Sequence, residues 1–389
     1  MNHGKYVFAQ LTDFLPRRAF DRIVKAHNGN KYVRSFTCWN QMLCMVFGQL
    51  TARDSMRDLM LSIEAHQPKY YHLGFGPTVT RRNLGKANEK RSYKIFEEFA
   101  YVLIDQARRS CYSSDFEVKV DGNVYALDST TIDLCLSVFW WAEFRRNKGG
   151  IKLHTLYDVK SSIPSFLYIS KASLHDVNVL DMIPYEAGSF YIVDKAYIDY
   201  KRLNRIESQG SFFVTRAKDN IRFKRMYSSP VDKATGVLVD QTGKLEGYYS
   251  SKYYPGKLRR IKYYDQDLQK QLIFLSNNTT LEAREIALLY KKRWEVEIFF
   301  KWMKQHLKIK SFWGTTMNAV KIQIYCAIIA YCMVAIIGNT LKVNRPIYEI
   351  LQILSISLLD KTSVREILTK CDYKDVKEQF NNQLLISGF

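Results

Sequence analysis

The sequence predicts an α/β protein, a mixed-sheet core flanked by helical regions on both sides. Three observations carry the prediction. Apolar residues recur at helical spacing to about Tyr112, short β-prone runs separated by turn residues begin near Ser113, and helical periodicity returns after about Asn278.

The first region, 1–112, reads as a helical N-terminal domain. "LTDFLPRRAFDRIVKAH" has apolar residues at Leu15, Phe20, Ile23 and Val24 and reads as helical, and "CWNQMLCMVFGQL" and "SMRDLMLSIEAH" predict two further helices. Gly74, Gly76 and Pro77 then mark a turn, after which Thr80 is the expected N-cap of a helical stretch bearing Arg81, Arg82, Lys86, Lys90, Arg91 and Lys94. Cations so placed suit a helix laid against DNA phosphates, with a solvated basic helix as the alternative.

In "FEVKVDGNVYALDSTTIDL" the Asp121-Gly122 pair predicts a hairpin turn. "GIKLHTLYDV" and "SFLYISKAS" follow as strands, "NVLDMIPYEA" as a helix, "SFYIVDKAY" as a strand, "YIDYKRLNRIESQG" as a helix closed by Gly210, and "SFFVTRAK" as a strand. Three strands in succession, then helix, strand, helix, strand, is the order of a ribonuclease-H-like core. Residues 219–278, with "GVLVD", "GKLEGYYS", "LRRIKYYD" and "KQLIFLS", read as a β-rich insertion, so the core is assigned to 113–218 and 279–345. The remaining 346–389 reads as a helical C-terminal region suited to dimerisation.

The 389 residues are 47% hydrophobic, which excludes a disordered chain, and 58 Lys+Arg against 38 Asp+Glu leave a charge of +20. That surplus is spread along the chain and points to a nucleic-acid partner ahead of an anionic membrane. Seven cysteines, at 38, 44, 111, 135, 326, 332 and 371, form no CxxC and no zinc spacing, and read as reduced thiols of a cytoplasmic protein. The apolar run Ile324 to Ile337 is 14 residues, shorter than a membrane span requires, and reads as a core helix.

Two aspartates stand at the ends of apolar strands, Asp128 after "VYAL" and Asp194 after "FYIV". In a ribonuclease-H-like sheet the first and fourth strands are neighbours, which brings two like charges together and demands a counter-ion. A strand-end turn role is the alternative for either aspartate alone. The third carboxylate comes from "YKKRWEVEIFFKWMK": at about 100° per residue Tyr290, Arg293, Glu297 and Lys304 fall in an arc of roughly 60°, while Glu295 points away. Hard oxygen donors from several segments suit two Mg²⁺ ions, with Mn²⁺ as a substitute, in phosphoryl transfer, and cations on the same helix face suit phosphate binding. His154, and His175 with Asp176, are expected to play structural or supporting roles near the sheet.

The spacing of Tyr290, Arg293, Glu297 and Lys304 resembles the Y-R-E-K signature of cut-and-paste DDE transposases of bacterial insertion sequences, the IS-four type. "LDSTTIDL" resembles the first-aspartate block of that family and "VDKAYIDY" the second, although Lys195-Ala196 stands where Arg-Gly is usual. The resemblance implies that Asp128, Asp194 and Glu297 are the catalytic, metal-binding triad, that Tyr290, Arg293 and Lys304 grip phosphates, and that Trp294 acts on distorted terminal bases. It also implies binding of double-stranded DNA at terminal inverted repeats, Mg²⁺-dependent cutting by way of hairpin ends, joining of 3′-hydroxyls to target DNA, and a homodimer in the synaptic complex. Such a protein is expected in the bacterial cytoplasm at the nucleoid, not in a membrane. Two alternatives remain: a ribonuclease-H-like nuclease or resolvase without transposition, and a catalytically silent DNA-binding derivative.

Overall fold

Period-two burial along the first core strand shows how the sheet is sandwiched. Val124 and Ala126 join one apolar core while Tyr125 and Leu127 join a second on the opposite face. The computed structural model describes residues 4–369 except 77–78, 113–115, 146–147, 308 and 310, with the backbone alone at 144, 145, 148 and 306.

The N-terminal helices are α1 (Val7–Thr12), α2 (Arg17–Ala26), α3 (Cys38–Leu50), α4 (Met56–Glu64), α5 (Tyr70–Leu73), α6 (Arg81–Lys90) and α7 (Lys94–Cys111). Thr80 caps α6 as expected, its hydroxyl accepting from Asn83 N at 3.2 Å. The basic stretch is nevertheless two helices, because the chain leaves helical geometry at Arg91 (φ −76°, ψ 138°) before α7 begins.

The sheet strands are β1 (Val124–Leu134), β2 (Glu143–Arg145), β3 (Lys148–Asp158), β4 (Ile163–Lys171), β5 (Phe190–Val193), β6 (Phe212–Arg216), β7 (Phe223–Ser229), β8 (Val237–Leu245), β9 (Leu258–Asp265) and β10 (Lys270–Ser276). Helices α8 (Tyr200–Ser208) and α9 (Tyr248–Tyr253) lie between them. The order β4-β3-β1-β5-β6, with β1 antiparallel to β3 and parallel to β5, is that of a ribonuclease-H-like core. The insertion does not stand apart: β10 pairs with β6, and β9, β8 and β7 continue the same sheet. A buried ion pair, Arg259 Nη2 to Asp240 Oδ2 at 2.8 Å, joins β9 to β8.

Two expected elements are absent. Phe116–Val120 forms no strand and Asp121-Gly122 no hairpin; Gly122 instead passes so close to the neighbouring loop that a Cβ would lie 2.1 Å from Gly188 O. The helix expected in "NVLDMIPYEA" is a 3₁₀ turn, Asp176–Asp181, since Pro184 disfavours helical geometry just before it. Conversely, β7 gave little sequence signal: its side chains are nearly all exposed, so no apolar alternation marks it.

Helices α10 (Ala283–Lys291), α11 (Trp294–His306), α12 (Met317–Thr340), α13 (Ile347–Ser357) and α14 (Val364–Leu368) complete the described chain. The single helix expected through residues 290–304 is two, broken at Lys292–Arg293. α12 is longer than the 14-residue run suggested, with 24 residues and an 18-residue stretch of mean hydropathy 2.1, enough by length and composition to cross a membrane. Here it is the core helix expected, 94% of its most apolar stretch being buried and packed on α7, α3 and α6. The two ends of the described chain meet, as Val7 N donates to Asp360 O and Phe8 N to Leu358 O, both at 2.9 Å. Cys371 and the rest of the expected C-terminal region beyond residue 369 lie outside the described residues.

Candidate active site

The parallel pairing of β1 with β5 puts Leu127 opposite Val193, so the next residue on each strand, Asp128 and Asp194, emerges at the same sheet edge. Side-by-side placement therefore follows from register. Asp128 Oδ1 accepts from Ser129 N at 2.8 Å, and Asp194 Oδ1 accepts from Ala196 N at 3.0 Å, capping a 3₁₀ turn over Lys195–Tyr197. Because that turn is right-handed, Ala196 needs no positive φ, and the replacement of glycine there costs nothing in backbone geometry.

The broken helix closes the site. α11 packs against β1 and β3, and it carries Glu297 into the pocket holding both aspartates, a cavity of about 850 Å³. Arg293, at the break, reaches two of the three acids: Nη1 lies 3.2 Å from Asp128 Oδ2 and Nη2 donates to Glu297 Oε1. Tyr290, at the end of α10, points its hydroxyl at Asp194 Oδ2, 3.5 Å away. Lys304 donates to Thr131 O at 3.1 Å, which ties α11 to β1. The four residues on the predicted face thus all face the aspartate-bearing edge, although on two helices.

Glu295 faces elsewhere, with Lys292 Nζ 3.7 Å away, and does not line the pocket. Trp294 is 59% exposed, which removes a core-packing role, and it lines a second cavity of about 420 Å³ with Leu268, Leu272, Arg216 and Tyr290. Asp194 and Arg293 line both cavities, so the apolar one opens beside the acidic one. Arg81, Arg82 and Lys86 are exposed on α6 and line neither.

Burial raises the Asp128 carboxyl from its ordinary 3.8 to about 6, with the Glu297 and Asp194 charges adding to the rise and Ser129 N and Arg293 opposing it. The sign of the stability effect follows. A carboxyl whose folded pKa lies above its unfolded one binds more protons when folded, so the folded state loses stability as pH rises from about 4 to about 6. Without divalent metal, Asp128→Asn is therefore expected to gain stability relative to wild type over that window. The gain is on the order of 2–3 kcal/mol, readable as a difference in melting temperature between pH 4 and pH 7.

The donor set fits a divalent cation in kind: three carboxylates with mutual repulsion in one half-buried pocket. Among the described residues no three such side chains yet close into a metal cluster, because the Arg293 guanidinium bridges Asp128 and Glu297. Arg293 supplies here the positive charge that the acids require.

The pocket also holds residues that sequence reasoning underrated. Asp176 accepts from Ser129 Oγ at 2.8 Å and pairs with Lys152 Nζ at 3.0 Å. His154 is fully buried beneath them, bonded through Nε2 to Ser170 Oγ at 2.9 Å, and burial pushes it down to about 4, which favours the neutral imidazole. The available signal was the period-two pair Lys152 and His154 on β3, whose partners across the ladder are Thr131 and Ser129.

A sheet of this topology with strand-end acids and a helix-borne glutamate is the arrangement expected of a DDE-type domain. The chain belongs to the DDE transposase family: the family model described as "Transposase DDE domain" matches residues 120–333. A second model, a domain of unknown function (DUF4372), matches residues 3–76. Among named relatives, transposase y4zB of Sinorhizobium fredii is 33% identical over 74% of this chain and 80% of its own length. A transposase for insertion sequence element IS5377 of Geobacillus stearothermophilus is 28% identical over 66% of this chain and 67% of its own. A transposase for insertion sequence element IS4SA of Synechocystis is 25% identical over 74% of this chain and 80% of its own.

Proposed function

We propose that this chain is the transposase of a bacterial insertion element, binding the terminal inverted repeats, cutting both strands at each end and joining the freed 3′-hydroxyls to target DNA. The observation that carries this reading is the convergence of Asp128, Asp194 and Glu297 on one pocket whose rim holds Tyr290, Arg293 and Lys304. Asp128, Asp194 and Glu297 would hold Mg²⁺, with Mn²⁺ as a substitute, which when bound neutralises charge at the phosphorus and activates the attacking oxygen. Arg293 must leave Asp128 for that, and a DNA phosphate is the natural new partner for its guanidinium. Tyr290 keeps its proton, since burial pushes the phenol up to about 12, and can donate to a phosphate oxygen.

In the reaction, water attacks the phosphorus at the element end and the 3′ oxygen leaves as a hydroxyl. That hydroxyl then attacks the opposite strand, releasing the flank and leaving a hairpin, which water reopens before the 3′-hydroxyl attacks target DNA. Two ends must be held together, so the working species is a homodimer on DNA in the cytoplasm, with residues 1–112 contacting the repeats, 346–389 contributing to dimerisation, and 219–278 shaping the apolar cavity. Trp294, exposed beside that cavity, fits an aromatic that takes the place of or stacks on an unpaired terminal base.

The test is incubation of the protein and Mg²⁺ with DNA carrying the repeats that flank its coding sequence, read on denaturing gels. Nicked, hairpin and strand-transfer products support the reading, and cutting without strand transfer would replace it with a nuclease. Trp294→Ala is expected to change stability by less than about 0.5 kcal/mol, as for other exposed positions, yet to lower hairpin yield at least tenfold while nicking persists.

A further inference from the structure

The N-terminal region holds a second open groove, of about 630 Å³, that the acidic pocket does not touch. One wall is the loop 28–36 between α2 and α3, inside the segment matched only to a domain of unknown function; the other is α6. Its lining is cationic, with Lys31 and Arg34 from the loop facing Lys86 and Lys90 from the helix, and it includes no carboxylate. All four are exposed or half-buried at the rim, and none is paired with a carboxylate among the described residues. Arg82, Lys86 and Lys90 follow one another at four-residue spacing, which sets them in a row about 6 Å apart along the helix.

The loop is a fixed lip. Arg91 donates Nη2 to Phe36 O and Nη1 to Gln41 Oε1 at 3.0 Å, and Cys38 N donates to Asn30 Oδ1 at 2.8 Å. Gly29 is pressed so closely onto the core that a Cβ would lie 2.5 Å from Ile95 Cδ1. At the tip, Tyr32 is 92% exposed with φ +60°, and Lys31 Nζ stands 5.2 Å from its ring centroid. This large aromatic, displayed on a braced basic loop, is buried by none of the described residues.

We propose that the groove between loop 28–36 and α6 is a duplex-DNA site, in which Lys31, Arg34, Lys86 and Lys90 seat the phosphate backbone and Tyr32 reaches a base or sugar edge. The inference deepens the transposase reading and rests on it for the choice of partner. A polyanionic rod is what opposed cations select where no carboxylate lines the groove, the nearby Glu98 being taken up by His27 at 2.7 Å, and loop and helix contacts together fix register while Tyr32 contributes discrimination.

The test measures binding by fluorescence anisotropy, using a duplex taken from the repeat flanking the coding sequence and an unrelated duplex of equal length. The fourfold variant Lys31→Ala, Arg34→Ala, Lys86→Ala, Lys90→Ala is expected to bind both at least ~30-fold more weakly, because four phosphates are no longer neutralised. Its salt slope should fall by about one for each of those phosphates. Tyr32→Ala is expected to leave the salt slope unchanged and to reduce the preference for the repeat duplex at least threefold. None of the five side chains belongs to the apolar core, so the variants should melt within a few degrees of wild type. Wild-type affinity and slope in the fourfold variant would overturn the groove, as would failure of the wild type to bind duplex or tighter binding of a same-sequence RNA. Asp128→Asn separates the two readings: it should bind as wild type without cutting, and if it still cuts, the transposase chemistry fails while affinity continues to decide the groove.

Discussion

Glu297→Gln is expected to lower end cleavage and strand transfer by three orders of magnitude or more, about 4 kcal/mol of transition-state stabilisation at ~1.4 kcal/mol per tenfold, while Glu295→Gln stays within about threefold of wild type. The two glutamates lie two residues apart on α11, but only Glu297 lines the pocket, and it takes Nη2 of Arg293 while Asp128 takes Nη1. Amide replacement preserves size and removes the charge, so a strong effect reports on ligation and not on packing. DNA binding should persist, because removing a carboxylate reduces repulsion of phosphate. Cleavage and binding measured on the same preparation check this. Equal activity of the two variants would remove Glu297 from the site.

Arg259→Ala is expected to have the largest effect on stability, about 3–5 kcal/mol, the usual result of leaving one member of a buried ion pair without its partner. The guanidinium donates Nε and Nη2 to the two oxygens of Asp240 at 2.9 and 2.8 Å, and Nη1 to Leu281 O, so a single side chain joins β9, β8 and the segment leading into α10. Both partners are 8% exposed. Because the insertion continues the aspartate-bearing sheet through β10 and β6, its loosening should reach the site. Denaturant midpoints at constant m-value read the loss, and the double variant Arg259→Met, Asp240→Leu should recover much of it, since an apolar pair leaves no buried charge.

Much of the candidate site was legible because it rests on local signals. An apolar strand ending in an acid is visible in "VYALD" and "FYIVD", and the first-to-fourth strand adjacency supplied the pairing that the register of β1 and β5 displays. The choice of Glu297 over Glu295 needed only helical period. The illegible parts depend on tertiary competition. A wheel assumes one axis, so it could not show the break at Lys292–Arg293 that lets Arg293 reach across to Asp128. Asp121-Gly122 carries the composition of a hairpin turn, yet its glycine serves a close crossing over Gly188. The groove in the N-terminal region joins residues about 50 positions apart, and exposed lysines carry no periodic signature that would have paired them.

The bonds from Val7 and Phe8 to Asp360 and Leu358 have a bearing on when, during synthesis, the protein can be finished. The first helix waits for partners made some 350 residues later, an interval of about 20–70 s at ordinary bacterial elongation rates. Glu297 likewise follows Asp128 by 169 positions, so a nascent chain has one half of its acidic pocket long before the other. Assembly of the N-terminal helices and completion of the pocket therefore both fall well after the first aspartate has been made. Slow codons or a pause before residue 297 should accordingly prolong a state in which the first two aspartates are present and the chain cannot yet cut.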